Sequence, residues 1–326
     1  MKNDYISEIH DKDKLVLHPY EDFKSRGSYR RKLIVKSENI YLYDEEGKRY
    51  IDGPGGMWCN NLGHGNTEIA EAIKKQIEKM DYCSPFSEST EVAAELAYEL
   101  SNLSPGDLNT VFFTSDGSTA NDSALRFVMY YNNILGRKEK KHIITRDRAY
   151  HGSTYLTSSI TGKDREKNNF DFETNFIHHL SSPNPYRRDK NQTEEEFCNE
   201  KVKEFEEKIL EIGPNKVAAF IAEPILASGG CIVHPKNYLK KFREICRKYD
   251  VIFIADEVVT GFGRLGHFFS SESEFDIVPD IITTAKGITS GYIPLGAVLI
   301  SDSLIKNISK ESSLFFHGYT YSGHPA

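Results

Sequence analysis

The 326-residue chain has no apolar run near the roughly 20 residues that cross a bilayer. It also has no basic cluster, since 41 Lys and Arg stand against 48 Asp and Glu for a net charge of −7. The first absence excludes a membrane-spanning helix, and the second argues against nucleic acid or an anionic membrane as partner. The opening MKNDYISEIHDKDK is too polar for a secretory signal, so a cytoplasmic protein is expected. The five cysteines (Cys59, Cys83, Cys198, Cys231, Cys246) are odd in number and include no CxxC pair. Reduced, structural thiols are expected, and no metal site. GxxxxGK[ST] is missing, which argues against a P-loop. No internal repeat or low-complexity tract appears.

What is present suits a globular chain with a sizeable core, 39 % hydrophobic and 27 % charged. Residues 1–36 carry little periodicity and are expected to wrap an outer surface. NIYLYDEEGKRYIDG alternates around an EEGK turn and reads as a β-hairpin, and PGGMWCNNLGHG reads as a glycine-rich loop of the kind that lines sites. NTEIAEAIKKQIEKM repeats isoleucine every four residues, an amphipathic helical stripe, and STEVAAELAYELSNL follows suit. Seven short apolar strands come next: TVFFTS, HIITR, NFIHHL, VAAFIAEPI, VIFIADEV, DIITTAK and LGAVLIS. Helices such as EEEFCNEKVKEFEEKILEIG and PKNYLKKFREICRKY separate some of them. The pattern predicts an α/β domain with a mainly parallel sheet, whose ligands bind beyond the carboxyl ends of its strands.

Four strand ends carry chemistry. TVFFTS runs through Ser115, Asp116, Gly117, Ser118 and Thr119 into a helix, where amides, hydroxyls and the helix dipole suit a phosphate, although Ser and Thr are also ordinary N-caps. VIFIADEV ends in Asp256 and Glu257, carboxylates costly to bury without a cation or donor. A structural arginine or a protonated ring nitrogen would serve. HIITRDRAYHG sets Tyr150, His151 and Gly152 past a third strand, where a ring can stack on a flat ligand or pack in the core. DIITTAK ends in Lys286, and a lysine in a desolvated pocket becomes a nucleophile able to form a Schiff base. If these parts serve one ligand, pyridoxal phosphate needs each of them: an anion site, an acid for its ring nitrogen and a lysine for its aldehyde.

IADEVVTGFGRLG, TTAKGITSGYIPLGAVL, FTSDGSTANDSALR, AYHGST, AAFIAEPILASGG and HGYTYSGHPA together resemble the class III, or omega, aminotransferases of fold type I, from about residue 16 onward. The resemblance implies a large domain at 66–326 with a seven-stranded, mainly parallel sheet flanked by helices. Residues 1–65 would serve the small domain and an active-site loop. Family members continue well past the position of Ala326, so a chain truncated before its C-terminal small domain is expected. By the same resemblance Lys286 holds the cofactor aldehyde and shuttles a proton, and Asp256 keeps the ring nitrogen protonated. Gly117 and Ser118 form the phosphate cup, with Thr119 where most relatives carry an acidic residue. Tyr150 stacks on the ring, His151 follows it, Glu223 lies near the cofactor and Val258 packs under the ring. Thr320 reaches the phosphate of a neighbouring subunit, implying a homodimer with shared sites, and Trp58 and Phe86 wall a pocket for an amine or omega-amino acid. The implied activity is ping-pong transfer of an amino group from such a donor to a keto acid such as pyruvate. The alternatives are an aminomutase or racemase on the same fold, or a non-catalytic remnant.

Overall fold

A computed structural model describes residues 2–311 and 313–326. The described residues form ten strands: β1 (Ile34–Glu38), β2 (Tyr41–Asp44), β3 (Arg49–Ile51), β4 (Thr110–Thr114), β5 (His142–Arg146), β6 (Ile177–Leu180), β7 (Val217–Ala222), β8 (Ile252–Asp256), β9 (Ile281–Thr284) and β10 (Gly296–Ile300). The last seven make one sheet in the order β4-β10-β9-β8-β7-β5-β6. The pairs from β9 to β6 are parallel, while β10 is antiparallel to both neighbours. The sheet is therefore mixed and mainly parallel, with every apolar run of the sequence becoming a strand.

Burial on both faces explains why those runs are continuous. β7, β8, β9 and β10 are buried along their whole length. Phe220 is in register with Phe253, and both point to a core with Phe205 and Phe242, whose rings stack 4.4 Å apart. The helices Glu194–Ile212 and Tyr238–Lys248 supply those partners. Ile221, Ile254 and Val298 face the other side, against Ala124, Leu125 and Val128 of the helix Gly117–Ile134. Each fully buried phenylalanine or leucine contributes about 1.5–3 kcal/mol, so the sheet is a rigid floor for whatever its edge carries.

The N-terminal part departs from the sequence reading. Lys2–Asp13 is a helix, and β1 joins β2 and β3 in a three-stranded antiparallel sheet rather than a plain hairpin. β1 is exposed throughout and the helix is polar on nearly every face, so neither has a burial period to read. Lys12 pairs with Glu8 one turn earlier, support that comes from charge rather than from a core.

The glycine-rich loop is fastened to the β9–β10 connection and to the segment after β8. Tyr292 Oη donates to Gly63 O at 2.8 Å and accepts from Asn66 N at 2.7 Å, Leu62 N donates to Ser290 Oγ at 2.9 Å, and Asn61 Nδ2 donates to Phe262 O at 2.8 Å. These bonds hold Trp58 beside the strand ends. Among the described residues no helix is long and apolar enough to cross a membrane.

Candidate active site

The carboxyl ends of β4, β5, β7, β8 and β9 open on one cavity of about 740 Å³, a size that holds a cofactor together with a small substrate. Its lining includes Trp58, Gly117, Ser118, Tyr150, His151, Glu223, Asp256, Val258 and Lys286. The sheet thus brings together nine residues read separately from the sequence.

Asp256, the last residue of β8, is 3 % exposed. Its Oδ2 accepts from His151 Nδ1 and from Asn121 Nδ2, both at 2.7 Å, and its Oδ1 accepts from Val258 N at 3.1 Å. Thr283 Oγ1 donates to Asn121 Oδ1 at 2.6 Å, and His151 Nε2 lies 3.3 Å from Thr145 Oγ1. One oxygen is saturated and the other keeps capacity for a further donor at the cavity. His151 accordingly stands behind the carboxylate and positions it.

Lys286 follows β9 with a left-handed backbone, φ +47°, an uncommon state for a non-glycine residue. Its amine has no hydrogen bond or ion pair among the described residues. Burial pulls its pKa below the ordinary lysine range, and the charges of Asp256 and Glu223 oppose that shift without cancelling it. Glu223 is buried, with Oε1 accepting from Tyr150 N at 2.9 Å and Oε2 from Ala227 N at 3.1 Å. Burial pushes its carboxyl pKa up, against the pull of His151.

The turn into the helix Gly117–Ile134 is built for close approach. A Cβ on Gly117 would come within 2.9 Å of Val258 Cγ1, and one on Gly152 within 2.7 Å of Ser118 Oγ. Ser118 Oγ accepts from Ser153 N at 3.1 Å, which leaves its O–H for a ligand. The amides differ from the expected free donors: Asp116 caps the helix, and its Oδ1 takes Ser118 N at 2.7 Å and Thr119 N at 3.0 Å.

Residues 25–326 match the family described as aminotransferase class-III. The chain belongs to that family. It is 44 % identical over 299 residues to a vanillin aminotransferase of Capsicum annuum, covering 90 % of this chain and 65 % of that enzyme. With a putrescine–pyruvate aminotransferase of Pseudomonas aeruginosa it shares 40 % over 310 residues, 95 % of this chain and 68 % of the other. The solved (S)-enantioselective omega-transaminase of Thermomicrobium roseum superposes with a TM-score of 0.95 at 39 % identity, over 98 % of this chain and 71 % of that one. The chain thus spans less than two thirds of the pepper enzyme's length.

Class-III aminotransferases use pyridoxal phosphate, and the cavity fits that group. A carboxylate oxygen with spare capacity, an unpaired amine and a hydroxyl-bearing turn kept open by two glycines line one space. Two expected residues lie outside the cavity of their own chain, Thr320 being expected at a neighbouring subunit's phosphate and Phe86 beside Trp58. Phe86 is 70 % exposed, with its ring on Gly318, and does not join Trp58 at the cavity of its own chain. Thr320 is exposed, and its carbonyl accepts from Tyr82 Oη at 2.9 Å. The reason is shared: segments 82–86 and 318–321 run side by side on a flank outside the cavity.

The sequence reading missed Asn121, Thr283 and Tyr20. Asn121 was detectable as a polar residue in the buried stripe Ala120, Ala124, Val128, and Thr283 as a hydroxyl in a buried strand. Tyr20 comes from the segment expected to cover an outer surface, yet it edges the cavity near the Lys163–Glu166 pair, 2.7 Å apart. Glu257 needs no cation. Five donors reach it: Ser270 N and Oγ at 2.9 and 2.7 Å, Ser271 N and Oγ at 2.8 and 2.5 Å, and Thr260 Oγ1 at 2.9 Å. Glu257→Ala leaves those buried donors unpaired and should cost about 3 kcal/mol or more, read as a lower urea midpoint at unchanged slope. A midpoint within experimental error of the parent's would refute this account.

Proposed function

We propose that this chain carries the cofactor site of a transaminase that moves an amino group from an amine or omega-amino acid to a keto acid such as pyruvate, with ping-pong kinetics. The observation that carries the reading is the meeting, at one cavity, of the unpaired Lys286 amine, the Asp256 carboxylate and the Gly117–Ser118 turn. Pyridoxal phosphate bound there supplies an electron sink for the carbon that bears the amino group. Lys286 would hold its aldehyde, Asp256 its ring nitrogen, Tyr150 and Val258 its two faces, and Gly117 and Ser118 its phosphate.

Lys286 Nζ, unprotonated more readily than an ordinary lysine, is the group that accepts and returns the substrate proton. Asp256 would hold a proton on the ring nitrogen, because His151 and Asn121 prevent its side chain from turning away. Glu223 is tied to the Tyr150 amide and so fixes where that ring begins. Trp58 gives the substrate side an aromatic wall, which favours an amine or omega-amino acid.

The assembly is read as a homodimer, because Phe86 and Thr320 lie beside each other outside their own cavity, where a second copy can use them. Five free thiols suit a reducing, cytoplasmic setting. The test is alanine formation from pyruvate by the protein with pyridoxal phosphate, using β-alanine, putrescine and 1-phenylethylamine as donors. Alanine and parallel double-reciprocal lines are expected. Bound cofactor with no alanine from any donor would transfer the assignment to an aminomutase or racemase.

A further inference from the structure

The phosphate cradle contains an acid. Asp116 lines the cavity, makes no ion pair among the described residues and spends one carboxylate oxygen on the Ser118 and Thr119 amides. Thr119 closes the cap from the other side, its hydroxyl accepting from Asp116 N at 3.1 Å and donating to Asp116 O at 3.0 Å. A phosphate arriving at this helix end seeks the same first-turn amides and the same positive dipole. It meets a carboxylate already there, and at such range two anions repel. The donors outside the cap are the Gly117 amide and the Ser118 hydroxyl, fewer than an open helix terminus offers.

We propose that Asp116 is a resident anion of the cradle, a built-in competitor that a phosphate monoester must displace from the Ser118 amide, so that this residue sets how strongly the chain prefers phosphorylated over unphosphorylated ligands. The proposal rests on the cofactor site assigned above. It deepens that reading by making the phosphate arm the weak point of retention and the lysine arm the strong one.

The variant that isolates charge from capping is Asp116→Asn, since asparagine caps helices as well as aspartate does. Asp116→Ser, another favoured cap, is the second variant, and far-UV circular dichroism of both apoproteins checks that the helix Gly117–Ile134 survives. Calorimetric titration with pyridoxal phosphate, pyridoxal and inorganic phosphate then separates the arms. Both variants should bind pyridoxal phosphate and inorganic phosphate roughly tenfold more tightly or better, with a smaller change for pyridoxal. The pyridoxal arm matters because Asp116 also helps keep Lys286 protonated, an effect on the aldehyde that needs its own control. Equal or weaker binding of the two phosphates in folded variants overturns the proposal and makes Asp116 a cap alone. The transaminase reading fails differently: neither aldehyde is then captured on Lys286 in any variant, while inorganic phosphate still decides the role of Asp116.

Discussion

Lys286→Ala is expected to lower amino transfer by roughly 10³–10⁴-fold, because it removes both the amine that holds the aldehyde and the base that moves the substrate proton. Folding should not suffer. Among the described residues the amine has no hydrogen bond or ion pair to lose, and a partly buried cation disappears. Borohydride reduction followed by peptide mass analysis should place the cofactor's mass on the Lys286 peptide of the parent and nowhere in the variant. A second readout is pH. The unfolded chain keeps its lysines protonated up to about pH 10.4, whereas Lys286 in the fold releases its proton earlier. Between the two values the unfolded state binds the extra proton, so stability rises with pH across that window and the variant lacks this increment. Retained transfer in Lys286→Ala, or labelling at another lysine, would remove this residue from the chemistry.

Sequence exposed the parts of this site that depend on short-range pattern. Lys286, Asp256 and Gly117 could be read because each follows an unbroken apolar strand, and parallel strands place such ends on one edge. The same logic failed wherever function is delegated sideways. Asn121 and Thr283 join two elements far apart in the chain to orient one carboxylate, and although each stands out as polar among apolar neighbours, no short-range pattern says which group it serves. Glu257, adjacent to Asp256 and alike in sequence, turned out to hold both ends of the segment 260–271 through hydroxyls and amides. Two neighbouring acids on one strand end thus serve opposite faces, because successive side chains alternate. The exposed helix Lys2–Asp13 and strand β1 escaped notice for a different reason, since elements that bury nothing leave no hydrophobic period behind.

Asp256→Asn should leave aldehyde capture intact and slow amino transfer by roughly 10²–10³-fold, the scale of losing one preorganised electrostatic partner. The direction follows from the donors around the carboxylate. His151 and Asn121 both point hydrogens at the Oδ2 position, so the asparagine oxygen must stay there and its NH₂ must take the place of Oδ1. That NH₂ opposes the Val258 amide and would present a donor where a ring nitrogen needs an acceptor, so the side chain could no longer hold the proton that makes such a ring an electron sink. Removing the Asp256 charge also removes the strongest influence holding Lys286 protonated, so the pH profile of aldehyde capture should move to lower pH even as turnover falls. Capture that persists and shifts downward while transfer collapses separates this residue from Lys286, whose loss abolishes capture. If capture is lost as well, the carboxylate instead serves to build the lysine's pocket, and if transfer is unaffected the ring nitrogen is protonated by some other group.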